Sequence, residues 1–141
     1  MRLRRILALR AMVASGQSQR EIASSLGISQ PAVSQQLRSS RELSKADPQT
    51  LLEAARPILR SLSIENGYSR LAVFGSLARG EGREDSDFDF LVEAPTGTSS
   101  FDFLQFEKLL ERVLGREVDL VSYGGLKSGS DDDILRESIL L

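Results

Sequence analysis

Two short apolar runs, each joined to a small set of polar residues, constrain this chain more than any other feature. The first run, residues 71–74, leads directly into Gly75-Ser76, and the second contains Asp87 and Asp89 in alternate positions. Because side chains alternate between the two faces of a strand, both carboxylates should leave the same face. Glycine lets the backbone turn tightly and approach a ligand closely. The pattern predicts two strands that meet at a polar site.

A third carboxylate, Asp119, lies in another apolar run at residues 117–121, which predicts a further strand. Carboxylates brought together repel one another, and divalent cations that take oxygen ligands and bind nucleotide phosphates would offset this repulsion. The chain contains no cysteine and no histidine, which excludes thiolate and imidazole metal sites. The pattern therefore favours a site for a nucleoside triphosphate and its metal ions, with acid–base work left to carboxylates, lysine or water.

Two arginines, Arg79 and Arg83, lie between the Gly-Ser pair and the paired aspartates. Guanidinium groups bind phosphate oxygens well, so either side chain could contact the triphosphate. A charged surface loop explains them equally well. The sequence leaves the two interpretations open.

The charge of the chain is unevenly distributed. Residues 1–45 hold eight basic and two acidic side chains, a net charge of +6, whereas the remaining residues carry a net charge of −8. This asymmetry predicts two domains, residues 1–45 and residues 46–141, of which the first is suited to a polyanion. The apolar run at residues 6–9 is too short for a signal peptide or a membrane span, so we expect a cytoplasmic protein with no membrane partner.

The basic segment contains ordered helix signals. Ser18 and Glu21 form a capping-box pattern, Gly27 suits a helix end, and Pro31 suits the first turn of the next helix. Residues 20–38 resemble the helix-turn-helix of bacterial transcriptional regulators. That resemblance implies a DNA partner whose major groove receives the third helix.

Specific side chains of this segment would then contact DNA. Exposed residues of the third helix would face base edges: Gln30, Pro31, Ser34 and Gln35. Basic side chains would reach phosphates: Arg20, Arg38 and Arg41. A plain helical packing unit with a solvated basic face is the alternative.

The rest of the chain predicts an α/β (α+β) fold with a small mixed sheet. Residues 39–46 read as a polar linker, and Asp47-Pro48 begins a long helix. A further amphipathic helix is predicted over residues 101–114, and a final helix over residues 134–141. Strands separated by helices are typical of such a fold.

Residues 74–81 and 86–92 together resemble the signature of the DNA polymerase beta-like nucleotidyltransferase superfamily, most closely its minimal nucleotidyltransferase branch found in prokaryotic toxin-antitoxin pairs. The resemblance implies ATP as substrate and two Mg²⁺ ions as cofactors. Gly75 and Ser76 would hold the triphosphate, Asp87 and Asp89 would ligate both ions, and Asp119 would complete one metal site beside the attacking hydroxyl.

The resemblance also implies a partner and a role. A protein of the HEPN (higher eukaryotes and prokaryotes nucleotide-binding) type would receive AMP on a tyrosine, which would silence its RNase activity. Fusion to a DNA-binding segment is the arrangement expected of an autoregulating antitoxin. Two alternatives stay open: a DNA-binding regulator that only senses nucleotide or docks a partner, and a nucleotidyltransferase acting on a small molecule. A homodimer also stays open.

Overall fold

The computed structural model describes residues 2–38 and 41–141. The first helices are α1 (Arg2–Ala14), α2 (Gln19–Leu26), α3 (Gln30–Arg38), α4 (Arg41–Lys45) and α5 (Pro48–Glu65). Next come β1 (Ser69–Phe74), the short helix α6 (Gly75–Ala78), β2 (Phe88–Glu93) and α7 (Ser100–Leu114). The last elements are β3 (Val118–Ser122), a 3-10 turn (Tyr123–Gly125), α8 (Asp132–Glu137) and β4 (Ile139–Leu140).

Within the described ranges, the strands form one mixed sheet in the order β3-β2-β1-β4. β1 pairs antiparallel with both β2 and β4, whereas β2 and β3 run parallel. A parallel pair needs a crossover connection, and α7 provides it. The predicted α/β (α+β) fold class with a small mixed sheet is confirmed.

The two faces of the sheet are covered differently. Phe88, Phe90 and Val92 of β2 belong to the main core, together with buried residues of α5 and α7. Leu91 points the other way, into a smaller cluster with Ala72 and Phe74. That second face is covered more thinly, by partly buried residues that follow β2, among them Val121, Tyr123, Leu126 and Ile134. Alternation along β2 therefore turns Asp89 to the thinly covered face.

The basic segment folds as its helix signals predict. Ser18 accepts from the Glu21 N–H while the Glu21 carboxylate accepts from the Ser18 N–H, so the capping box is present. Gly27 ends α2 in the left-handed conformation, with φ of 68°. Val33 of α3 packs with Ile22 in a small separate core.

The predicted linker over residues 39–46 is wrong for its described part. Residues 41–45 form α4, because Leu43, 1% exposed, is drawn into the main core. The mostly polar composition around Leu43 gave no sign of this contact with the core. Ser39 and Ser40, and the side chain of Arg41 to which a phosphate contact was assigned, lie outside the described residues.

The predicted final helix over residues 134–141 is also wrong in its second half. α8 ends at Glu137, and Ile139 and Leu140 pair with Val73 and Ala72 of β1. Residues 139–140 form an edge strand instead, because β1 offers unpaired backbone groups there.

Helix α1 contributes to two cores. Ile6, Leu7 and Ala11 pack in the main core with α5 and α7, whereas Leu9 packs in the small core with α2 and α3. Arg10 extends from α1 to the end of α7, where its Nε donates to the Val113 carbonyl at 3.0 Å. The division at residue 45 stays a prediction, and α1 bridges the two predicted domains. Among the described helices, none is long and apolar enough to cross a membrane.

Candidate functional site

The turn at Gly75 brings the end of β1 against β2. Gly75 has φ of 73°, in the left-handed region that side chains rarely adopt. A Cβ placed on Gly75 would overlap an Asp89 carboxylate oxygen and lie 3.1 Å from the carboxylate carbon. Only glycine therefore lets the backbone at residue 75 approach Asp89 this closely.

Asp89 and Asp119 are direct register partners on the parallel strands β2 and β3. Phe74 is the partner of Asp89 on the opposite side, so the Gly75 turn begins beside this pair. Asp87 lies immediately before β2 and is exposed, as is Asp119, whereas Asp89 is half-buried. The fold therefore places the three predicted carboxylates and the Gly-Ser turn at the same end of the sheet.

The carboxylates influence one another. Burial, the largest cause, and the negative charges of Asp119, Asp87 and Glu137, in that order, together raise the pKa of Asp89 to about 6, against a lowering by Arg79. A carboxylate that is both desolvated and surrounded by like charge is costly to ionise. A bound cation would remove that cost.

The donor set fits magnesium. Throughout the part of the chain that the structure describes, no group of three or more acidic side chains converges on one point as a ready-made cage. Mg²⁺ does not require such a cage, since it keeps several waters and binds through one or two carboxylates together with substrate phosphates. Asp87, Asp89 and Asp119 supply oxygen ligands of that kind.

Glu137 is a member of this site that the sequence did not predict. The Gly75 N–H donates to Glu137 Oε1 at 2.9 Å, and Arg79 Nη1 donates to Oε2 at 2.8 Å. Arg79 also pairs with Glu81 through its Nε at 3.1 Å. Glu137 stands 62 residues from Gly75, and no local pattern around it indicated the contact.

The other two predicted nucleotide-binding residues lie beside Gly75. Ser76 is half-buried in α6, and its carbonyl accepts from the Glu81 N–H at 2.8 Å, which closes the turn after α6. Arg79 follows α6 and is exposed, with its guanidinium directed to Glu137. Arg83 is also exposed, and the Ser86 hydroxyl accepts from its N–H at 2.7 Å.

Most of the predicted DNA-contacting residues of α2 and α3 are accessible. The exposed members are Arg20, Gln30, Pro31, Gln35 and Arg38, and Ser34 is half-buried. Gln30 donates to Gln19 at 2.7 Å, and Arg38 donates to the Ser34 hydroxyl at 3.1 Å. Val33 of α3 is fully buried.

Comparison with known proteins matches the part of the chain that carries the aspartates. The family model of the nucleotidyltransferase domain matches residues 52–141. A "putative protein adenylyltransferase" of Methanocaldococcus jannaschii is 40% identical over 87 residues, which cover 62% of this chain and 92% of that protein. Protein adenylyltransferase MntA of Thermococcus cleftensis is 45% identical over 73 residues, which cover 52% of this chain and 74% of that protein.

Two solved structures share the fold. The structure of a "putative minimal nucleotidyltransferase" superposes with a TM-score of 0.60 at 43% identity and covers 66% of this chain and 95% of that one. The crystal structure of a toxin-antitoxin with AMP-PNP superposes with a TM-score of 0.51 at 21% identity and covers 57% of this chain and 66% of that one. At that identity the second likeness concerns the fold alone.

Proposed function

Because this chain belongs to the family of nucleotidyltransferase domains, we propose that it transfers AMP from ATP to a hydroxyl group of a partner protein. The observation that carries the proposal is the placement of the Gly75 turn directly against Asp89, whose register partner is Asp119. A turn that can approach phosphate and a set of carboxylates that can hold Mg²⁺ lie within one small region. Both halves of a metal-nucleotide site are then supplied by the chain.

The proposed roles follow from position. The Gly75 N–H and the Ser76 hydroxyl hold phosphate oxygens, and Arg79 adds a positive charge beside them. Asp87 and Asp89 would hold two Mg²⁺ ions, and Asp119 would complete the site on the side of the acceptor. When bound, the ions offset phosphate charge and lower the pKa of the attacking hydroxyl.

Asp119 accepts the proton of the acceptor hydroxyl in this scheme. The acceptor oxygen forms a bond to the α-phosphorus, the bond from that phosphorus to the bridging oxygen breaks, and pyrophosphate leaves with the bonding electrons. Asp119 is exposed, so an acceptor from outside can reach it. With no histidine in the chain, a carboxylate is the natural base.

A protein acceptor is favoured by the relatives. Two of them bear the name protein adenylyltransferase, and the solved neighbour with AMP-PNP is a toxin-antitoxin. We propose that the acceptor is a HEPN-type toxin and that this chain is its antitoxin. The basic head, residues 1–45, would use the exposed side chains of α3 to bind operator DNA and would regulate expression of the pair.

A second candidate is a DNA-binding regulator that senses nucleotide without transferring it. The observation that favours it is the shared helix α1, whose Leu7 and Leu9 lie in different cores. A nucleotide bound near Asp89 could then alter the head through packing. The sensor needs no acceptor and no proton transfer.

Incubation with ATP labelled at the α-phosphate tests the proposal. With Mg²⁺ and the protein encoded beside this chain, we expect label on one hydroxyl of that protein, identified by mass spectrometry as AMP. The Asp87→Asn/Asp89→Asn double variant should lose metal-dependent nucleotide binding in calorimetry. Tight ATP binding without transfer to any partner, together with a change in DNA affinity on nucleotide addition, would favour the sensor instead.

A further inference from the structure

The carboxylate of Glu137 engages two groups on which the proposed nucleotide site depends. Its Oε1 accepts from the Gly75 N–H at 2.9 Å, and its Oε2 accepts from Arg79 Nη1 at 2.8 Å. The Glu137 side chain is 24% exposed, and its hydrogen bond with Gly75 is partly buried, whereas its contact with Arg79 is open to water. The Glu137 carboxylate is therefore held where a phosphate of the proposed nucleotide would have to bind.

Glu137 reaches this position because the segment after α8 is fixed to the same strand that leads into the turn. Residues 139–140 of β4 pair with residues 72–73 of β1, and Glu137 stands two residues before that pairing. β1 ends at Phe74, directly before Gly75. The pairing of β4 with β1 thus positions the Glu137 carboxylate beside the Gly75 turn.

A phosphate and the Glu137 carboxylate exclude each other at this point. A single N–H donates one well-aligned hydrogen bond, so the Gly75 N–H cannot serve both acceptors. Glu137 also lies close enough to Asp89 for their like charges to interact. A triphosphate would add further negative charge to the same place, which raises the cost of keeping Glu137 there.

We propose that Glu137 is an internal competitor of the nucleotide, and that ATP binds only after this carboxylate leaves Gly75 and Arg79. The inference rests on the nucleotide site proposed above. The binding free energy of ATP is then a difference. The nucleotide gains contacts with the Gly75 N–H and Arg79, and the contacts of Glu137 with the same two groups are lost. Anything that draws α8 and β4 away from β1 would raise that affinity.

The opposite role for Glu137 is a brace that positions Arg79 for the nucleotide. A brace would keep its contact with Arg79 when ATP binds, and its removal would weaken binding. A competitor would leave Arg79 when ATP binds, and its removal would strengthen binding. The direction of the affinity change on substitution therefore separates the two roles.

Calorimetric titration of the full chain with ATP in the presence of Mg²⁺ provides the test. We expect Glu137→Gln to bind ATP roughly tenfold more tightly than the wild type, because a charge-assisted contact is replaced by a weaker neutral one. Glu81→Gln is the matched control. Glu81 pairs with the same arginine, but its side chain is 65% exposed and does not contact Gly75, so affinity should change by less than about twofold.

Glu137→Asp provides a second test in case Glu137→Gln does not fold, since it keeps the charge and shortens the side chain by one methylene. It should also bind ATP more tightly, because it cannot reach both donors in the same geometry. Unchanged or weaker binding by folded Glu137→Gln and Glu137→Asp would overturn the competitor. Absence of ATP binding in the wild type and in all variants would instead overturn the proposed function on which it rests.

Discussion

Asp89 and Asp119 face each other across the parallel strands β2 and β3, as direct register partners on the thinly covered side of the sheet. Burial of Asp89, together with the negative charge of Asp119 and of the other nearby carboxylates, raises the pKa of Asp89 to about 6. Between the ordinary carboxyl pKa and this value, the folded chain holds a proton that the unfolded chain has released. The free energy of unfolding of the metal-free protein should therefore decrease as pH rises through that window.

The first prediction follows from that sign. In the presence of a chelator, Asp89→Asn should raise the free energy of unfolding at pH 8 by about 1 kcal/mol. This value is smaller than the free energy equivalent to the whole pKa shift, because Asp89 is only half-buried and water screens its charge. Below about pH 4 the gain should vanish, since the carboxyl is then neutral in both states. Thermal and urea unfolding of both proteins at the two pH values measure this difference in the free energy of unfolding.

Asp85→Asn is the control for this prediction. Asp85 is exposed in the loop before β2 and lies near the same strand without entering it. Its substitution should leave the pH dependence of unfolding unchanged. Equal pH profiles for Asp89→Asn and the wild type would contradict the electrostatic account.

Short-range patterns predicted the parts of the site that depend on local periodicity. Alternation around Asp89 fixed its face of the sheet, and the capping box of Ser18 and Glu21 fixed the start of α2. Gly75 was predicted as a tight turn, and its φ of 73° agrees. In each case the residues that decide the structure lie within a few positions of one another.

Long-range pairing is what the sequence did not predict. Glu137 enters the site only because Leu140 pairs with Ala72, and a two-residue strand is too short to show a period of two. Leu43 likewise fixes α4 in a mostly polar segment, because its side chain is buried in the main core. Neither feature has a local signal, since both depend on surfaces created elsewhere in the fold.

The second prediction concerns the close approach at Gly75. Gly75→Ala combines an unfavourable backbone conformation with overlap between the new Cβ and the Asp89 carboxylate. Gly80→Ala is the matched control, because Gly80 has the same φ of 73° but nothing within 4 Å of its Cβ position. We expect Gly80→Ala to cost roughly 1 kcal/mol and Gly75→Ala to cost distinctly more.

Nucleotide binding should distinguish these two variants further. Gly80→Ala should keep ATP binding, whereas Gly75→Ala should lose it, since the turn and Asp89 must move apart. Denaturant unfolding and calorimetry on both proteins give the comparison. Similar losses of stability in the two variants would mean that backbone strain alone, and not the contact with Asp89, requires glycine here.

The third prediction uses the two-sided packing of α1. Leu7 and Leu9 are both buried, but Leu7 lies in the main core and Leu9 in the small core of the head. Leu7→Ala should lower the free energy of unfolding of the nucleotidyltransferase domain by about 2–5 kcal/mol. Leu9→Ala should weaken DNA binding while ATP binding is retained. Loss of ATP binding in Leu9→Ala would indicate that the two cores unfold as one unit.

The fourth prediction concerns the exposed face of α3. Arg38→Ala should weaken DNA binding uniformly across sequences and reduce the slope of log affinity against log salt by about one unit. Gln35→Ala should relax sequence preference by about 1–3 kcal/mol. Lys108→Ala on α7, which removes an exposed ion pair with Glu111, is the charge-matched control and should change neither quantity. DNA binding that resides in residues 47–141 would contradict the assignment.

The last prediction separates binding from transfer at Asp119. Asp119→Asn should reduce AMP transfer by about a hundredfold or more while ATP binding is largely retained, because its proposed contribution is to the acceptor hydroxyl and the developing transition state. Ser76→Ala should instead raise the ATP concentration required, since Ser76 is proposed to hold the ground-state triphosphate. Glu117→Gln is the control, as Glu117 is exposed just before β3. Transfer that survives in Asp119→Asn would assign the proton acceptor to bound water or another group.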